Sequence, residues 1–517
     1  MAASCEVVSR QLHPPGLAFW KRSAATILLS GVFLYLQVYS LPSTPRFASG
    51  DQAIYLYHGT RMLDGELIYR DYDHFTFPGT DVLYMSLFRL FGVRMCIPQA
   101  MLVVVGVSLV WLLTLISREV LTGWTCFLPA LLFVSLPFSS YLDATHHWYS
   151  TVATTGAVAV LMKRRTLARL AGAGVLLGIA VFFTQSMALV LVGIAVFLAW
   201  EHRQELEPGH LLMKKESALV ISFAATVAAC VAYFVAKVGV RRMFYSTVVF
   251  VVKYYPADWF NNWRVYLTGR PHLHDPRSWI DIPAFALIHL IIPWVYVLFF
   301  LWPGAKPAAT EDRKRLTLLA FAGISLFLSV ASAPANIRLY AVGYPGLVLL
   351  VWILCSWQPG RKLIPLLWTT VLILAIARPL LMQLRSKTFL DLPTGRTAFV
   401  QPAFYDECRW LLARKSPEDT LFGNHLLSFA LLMKSVGRVP FVTSTEYTRP
   451  EEVQDAIQAL EKFQVRFVSW YAGIDTSTDA ARHPEGDHLG PLRVYLHRHY
   501  RLAGTFSNGD QIWERNP

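Results

Sequence analysis

Apolar runs about as long as a bilayer is thick limit this chain more than any other feature. Hydropathy marks them near residues 23–38, 97–117, 121–140, 147–162, 166–184, 185–200, 216–238, 279–302, 316–332, 337–357 and 363–384. Spanning a hydrocarbon core of about 30 Å takes about 20 helical residues, so the pattern predicts a polytopic α-helical membrane protein with about eleven spans. With 54% hydrophobic and 16% charged residues, the composition excludes an ordinary soluble globular protein. The six cysteines are scattered singly, without the spacing of a disulfide framework or a structural zinc site.

The formal net charge of +13 is concentrated in short hydrophilic breaks: Lys163, Arg164, Arg165 and Arg169; Lys214 and Lys215; Arg313, Lys314 and Arg315; Arg361 and Lys362. That distribution fits cytoplasmic loops better than a nucleic-acid surface. The first run follows Arg10, Lys21 and Arg22 and lacks an A-x-A cleavage pattern, so it reads as a retained anchor with a cytoplasmic N-terminus. The run 79–91 reaches only about 20 Å as a helix and reads as juxtamembrane. Three spans then separate the loop after the first anchor from the Lys163–Arg169 run, which puts that loop outside. On this parity residues 1–384 form the membrane domain, with external loops 41–96 and 239–278, and Ser139–Trp148 reaches the same side. Residues 385–517 form an extracytoplasmic α/β domain, with helices expected at 404–414 and 450–463 and strands at 420–422, 465–470 and 511–514.

The stretch from Ser49 to Gly92 is the polar anomaly. Asp51 follows the first anchor, where partial burial and neighbouring charges can tune a carboxylate into a base; the competing reading is a cap on a loop helix. Asp71 and Asp73, with His74 adjacent, can bind a metal or orient a cation, or be simply solvated. Asp143, His146 and His147 offer metal ligands or an ordinary polar turn. Arg338 is a phosphate ligand or an interfacial snorkel. Arg241, Arg242 and Lys253 are placed to meet an anionic lipid headgroup.

The segment GELIYRDYDHFTFPGTDVLYMSLFRLFG resembles the first external loop of GT-C fold glycosyltransferases. The resemblance is to relatives of glycosyltransferase family 39, the protein O-mannosyltransferases and the aminoarabinose transferases of lipid A. Asp51, Tyr69, Arg70, Asp71, Asp73, His74, Pro78, Phe91 and Gly92 occupy the corresponding positions, over about 44 residues. Gln52 stands where protein O-mannosyltransferases usually carry a second acid. Pro78 is single where relatives often have a pair, and Phe75 replaces a basic residue.

The resemblance implies active-site loops on the external side of a bacterial inner (plasma) membrane and a sugar donor carried on polyprenyl phosphate. The acceptor would be a lipid, glycan or protein. It implies that Asp51 is the catalytic base of an inverting displacement, supported by Asp71, Asp73, His74 and Asp143. Arg338, with Arg241, Arg242 and Lys253, would face the donor phosphate. A divalent ion held by Asp51, Asp143 and His147 is compatible with that chemistry. The competing class is a multi-pass transporter or flippase. Its expected marks, intramembrane acids and an inverted repeat, are not evident in the sequence.

Overall fold

The computed structural model describes residues 16–205, 209–268, 271, 276–301, 310–439, 442, 443, 447–470 and 489–517. Cys5, Arg10 and part of the 239–278 loop lie outside them. Four helices set up the site: α1 (Leu17–Val38), α2 (Gln52–Leu63), α3 (Gly79–Phe91) and α4 (Cys96–Ser117).

Helices occupy every apolar run, but they differ in kind. Among the described residues six helices are long and apolar enough to cross a membrane, or seven if Asn336–Val342 and Tyr344–Ser356, bent by 57°, count as one span. The remaining runs fall short for identifiable reasons. His146–Leu161 has 16 residues and Leu167–Phe183 has 17, below the roughly 20 that a straight crossing needs. Thr310–Val330 begins with Glu311, Asp312, Arg313, Lys314 and Arg315, which shortens its apolar part. In Gly123–Phe138 the helix changes from 3-10 to α to π form, and Pro137 removes a backbone donor within the last part.

The bundle has two polar ends. At one, Arg165 pairs with Glu201, Lys314 with Glu205, and Arg315 with Glu119 at 3.3 Å, joining the ends of several helices. His146–Leu161 runs from that end to the loop holding Asp143, roughly 24 Å at about 1.5 Å per residue. The second end therefore lies at the far end of that helix.

There α2 is the central column. The 13-residue α3 lies against it, burying Thr80, Asp81, Tyr84 and Phe88 and exposing Leu90 and Phe91. The helices approach closely because Gly59 has no side chain: a Cβ there would sit 2.9 Å from Tyr84 Cβ. The other flank of α2 meets the short helix His425–Leu431. The Ser435 N–H donates to Tyr57 OH at 2.9 Å, and Arg61 Nη2 donates to the Gly437 carbonyl at 3.1 Å.

After residue 385 the chain forms an antiparallel hairpin, Thr388–Leu392 with Gly395–Phe399. A four-stranded sheet follows, in the order Leu421–Phe422, Phe467–Trp470, Gln511–Arg515, Tyr500–Thr505. Its first pair is parallel and the others antiparallel. Helices Pro450–Lys462 and Gly490–His499 supply Val453, Leu460, Leu492 and Leu496 to a core with Phe422 and Val468.

Gly79 opens α3 against the bundle, where a Cβ would lie 2.5 Å from the Phe182 carbonyl oxygen. Gly79→Val should therefore cost about 1–3 kcal/mol and lower the unfolding temperature of the detergent-solubilised protein. Gly172→Ala, in a helix with nothing within 4 Å of the new Cβ, should leave it unchanged or raise it slightly.

Candidate active site

The chain is fixed firmly before it reaches Asp51. Buried Arg46 donates to the carbonyls of Gln37 at 2.6 Å and Met382 at 2.8 Å, and its own carbonyl accepts from Gln99 Nε2 at 2.7 Å. Gly50 then turns with φ +87°, a left-handed conformation that L side chains rarely adopt. A Cβ there would also meet Asp143 Oδ2 at 2.7 Å.

A loop helix starts where the sequence signals one, but Asp51 is not its cap. The Asp51 side chain makes no capping bond. Asp143, 4% exposed and over ninety residues away in sequence, supplies the cap. Its Oδ2 accepts the Asp51 N–H at 3.0 Å and its Oδ1 the Gln52 N–H at 2.9 Å. These are donors that a helix start leaves unpaired, at the end where the helix dipole favours negative charge. Gln52 ties the loops from the other side: its Oε1 accepts the Ala144 N–H at 3.1 Å and its Nε2 donates to the Ser49 carbonyl at 2.8 Å.

The Asp51 carboxyl is thereby released for other work. It is solvent-accessible, yet enough protein surrounds it that desolvation raises it above the usual carboxylate range, against the lowering effect of the Arg338 charge. Asp143 is also raised, by burial and then by the Asp51 charge, while its two N–H bonds oppose the shift. Arg338 is held, not snorkelling: Nη1 donates to the Ala333 carbonyl at 2.9 Å, and Nη2 to Asn261 Oδ1 at 2.9 Å and to Tyr255 OH.

The other expected residues divide. Asp71 pairs with Arg70 at 2.7 Å and accepts the Leu67 N–H at 2.7 Å, closing its own turn. Asp73 pairs with Arg438 at 2.8 Å, linking the loop to the C-terminal part, and it also lines a pocket with His58, His74, Tyr245, Tyr447 and Arg449. Arg242 donates to the Arg70 carbonyl at 3.1 Å, so it braces the Asp71 turn. Arg241 is exposed, and exposed Lys253 lies over the Tyr254 ring at 4.9 Å. His74 faces inward, its Nε2 bonded to Thr76 Oγ1 at 2.6 Å. His146 Nδ1 bonds Tyr55 OH at 2.6 Å, and the ring of buried His147 lies 3.8 Å from that of His146.

The metal ligands expected at Asp51, Asp143 and His147 are not the set that converges. Both Asp143 oxygens are engaged by backbone N–H groups. Among the described residues the ligand atoms that come together, within 4.8 Å of one another, belong to His58, His74 and Asp81. His58 Nδ1 and Asp81 Oδ1 are 2.9 Å apart with both side chains wholly buried. Burial holds His58 far below its ordinary pKa, the Arg61 charge adding to this, and pushes the Asp81 carboxyl up to about 7 against His74. Two sequence signals could have found them. Asp51, Tyr55 and His58 fall at i, i+4 and i+7 on one helix face, and Asp81 is the one acid in α3.

A helical membrane bundle with an acid-bearing loop behind the first anchor and a mixed α/β C-terminal part has the fold of GT-C glycosyltransferases. The chain is similar to ArnT from Cupriavidus metallidurans bound to undecaprenyl phosphate, with a TM-score of 0.56 and 12% identity over 96% of this chain and 98% of that one. It is also similar to the oligosaccharyltransferase AglB from Archaeoglobus fulgidus in complex with an inhibitory peptide and a dolichol-phosphate, with a TM-score of 0.50 and 12% identity over 97% and 75% of the two chains. A structure of the Archaeoglobus fulgidus oligosaccharyltransferase in complex with Zn and sulfate gives 0.50 and 15% over 95% and 73%. At these identities the likeness is one of fold. No protein-family model matches the chain, and no curated protein sequence does.

Because Asp143 caps α2 across two loops, Asp143→Ala should destabilise the protein by about 1–2 kcal/mol, the usual loss for a helix cap. Asp143→Asn, which keeps one acceptor oxygen, should lose less. Thermal unfolding of the two variants side by side checks the order.

Proposed function

We propose that this protein is a glycosyltransferase that moves a sugar from a polyprenyl-phosphate donor to an acceptor on the external face of the membrane, with inversion. The observation that carries the reading is an Asp51 carboxylate that makes no capping bond on its own helix and is raised by desolvation under the opposing charge of Arg338. In this reading Asp51 accepts the proton of an acceptor hydroxyl or amine. The acceptor atom bonds to the anomeric carbon as the bond from that carbon to the phosphate oxygen breaks, and the electron pair leaves on the phosphate. Arg338, its guanidinium fixed by Asn261, Tyr255 and the Ala333 carbonyl, stabilises the departing phosphate.

Similar folds bind undecaprenyl phosphate in ArnT and a dolichol-phosphate in AglB, which supports a lipid-phosphate donor. The near-complete mutual coverage with ArnT favours an enzyme of that size and plan. The resemblance supports a bacterial inner membrane, and the clustering of Lys and Arg in short breaks between the apolar runs supports an inside N-terminus with an external C-terminal part. Asp71, Arg241, Arg242 and Lys253 take a secondary place at the rim, and Asp73 and His74 line a pocket beside the site.

Asp51→Asn should insert and fold normally yet reduce transfer by about 10²–10⁴-fold, the range for loss of a general base. Normal transfer by that variant would end the assignment. A protonated Asp51 cannot accept a proton, so transfer falls as pH drops through its folded pKa. Because that pKa is raised, the acid limb of kcat/KM should lie above the usual carboxylate range of about 4. Arg338→Ala should move the limb to still higher pH, since it removes the charge that lowers the Asp51 pKa.

A further inference from the structure

Two turns along α2 from Asp51, the interior holds polar groups that the transfer chemistry does not use. His58 and Asp81 are both wholly buried, and the 2.9 Å contact between Nδ1 and Oδ1 occupies only one atom of each. The other two, His58 Nε2 and Asp81 Oδ2, are buried with no hydrogen-bond partner. His74 completes the group from the loop between α2 and α3, its ring centroid 4.9 Å from that of His58. The His425 ring, from the C-terminal part, stands edge-on to His58 at 6.0 Å. Two helices, a loop and a distant segment thus bring imidazoles and a carboxylate to one dry place.

A buried imidazole–carboxylate pair serving packing alone would have its remaining atoms hydrogen-bonded or absent, because an unpaired polar atom in the interior is costly. His58 Nδ1 and Asp81 Oδ1, already 2.9 Å apart, are the atoms placed to share an ion with His74, while His58 Nε2 lies on the far side of its ring. Two imidazoles and one carboxylate are a common ligand set for Zn²⁺, and they leave a fourth position open. Tetrahedral bonds of about 2.1 Å place ligand atoms about 3.4 Å apart. The three ligand atoms already lie within 4.8 Å of one another, so side-chain shifts of about 1 Å would close the site.

We infer that His58, His74 and Asp81 form a binding site for a divalent transition metal of the zinc type, separate from Asp51. The ion clamps α2 to α3 and to the loop between them. His58 and His74 also line a pocket with Tyr447, Arg449 and Glu452. The site stands whether or not the chain transfers sugar.

The full-length protein in detergent, stripped with a chelator, is titrated with Co²⁺ and followed by its visible absorption. Expected are saturable uptake of about one ion per chain, a low-symmetry Co²⁺ spectrum displaced by Zn²⁺, and a melting temperature that Zn²⁺ restores and Mg²⁺ does not. His74→Gln, at a half-buried loop position, should weaken binding by about 10–100-fold, as should Asp81→Asn. Asp51→Asn should bind as the wild type does. Absence of saturable uptake by the wild-type chain overturns the inference. So does uptake that survives His74→Gln and Asp81→Asn but is lost in Asp51→Asn, which would move the ion to the acidic loop.

Discussion

A carboxylate from one loop accepting two backbone N–H groups from another organises the functional end of this protein. Asp143 takes the hydrogen bonds at the start of α2, and Gln52 returns one to Ala144. The helix dipole and the exposed N–H groups make that position favourable for a negative charge. Capping from a distance has a consequence that capping by the adjacent residue would not. Asp51, standing where a cap normally stands, keeps its own carboxyl available, and Gly50 is needed so that Asp143 can come close.

Burial raises both carboxyls, the Asp51 charge adds to the rise at Asp143, and Arg338 offsets part of the rise at Asp51. Arg338 arrives from the bent helix pair near residue 340, with partners in the 239–278 loop. Residues from four separated parts of the chain therefore meet around one acid. The opposite end of the bundle is chemically different, with buried Arg–Glu and Lys–Glu pairs joining helix ends and no comparable set of carboxyls left over among the described residues.

Much of this was legible in the chain. Helix positions followed from apolar runs, because burying or lipid-exposing an apolar helix face leaves a pattern in the sequence itself. The short α3 was readable from its 13-residue run, and strands near 421, 467 and 511 from short β-branched and aromatic runs. Asp51, Asp143 and Arg338 were each singled out. Their relationship was not, since a side chain capping a helix more than ninety residues away leaves no local trace. Asp71 and Asp73 illustrate the opposite failure. Two acids beside each other suggest a site, whereas one closes a turn with Arg70 and the other pairs with Arg438, and only packing distinguishes these from ligands.

The sequence by itself determined that this chain is a helical membrane protein with an acid-bearing loop behind its first anchor, because hydropathy and local spacing act over a few turns. Tertiary structure decided which acid caps and which is free. It also decided that the imidazoles and carboxylate which converge are His58, His74 and Asp81 rather than Asp51, Asp143 and His147. Those outcomes depend on how closely α2, α3 and two loops approach. That approach is governed by Gly50 and Gly59, residues whose contribution is the space they leave.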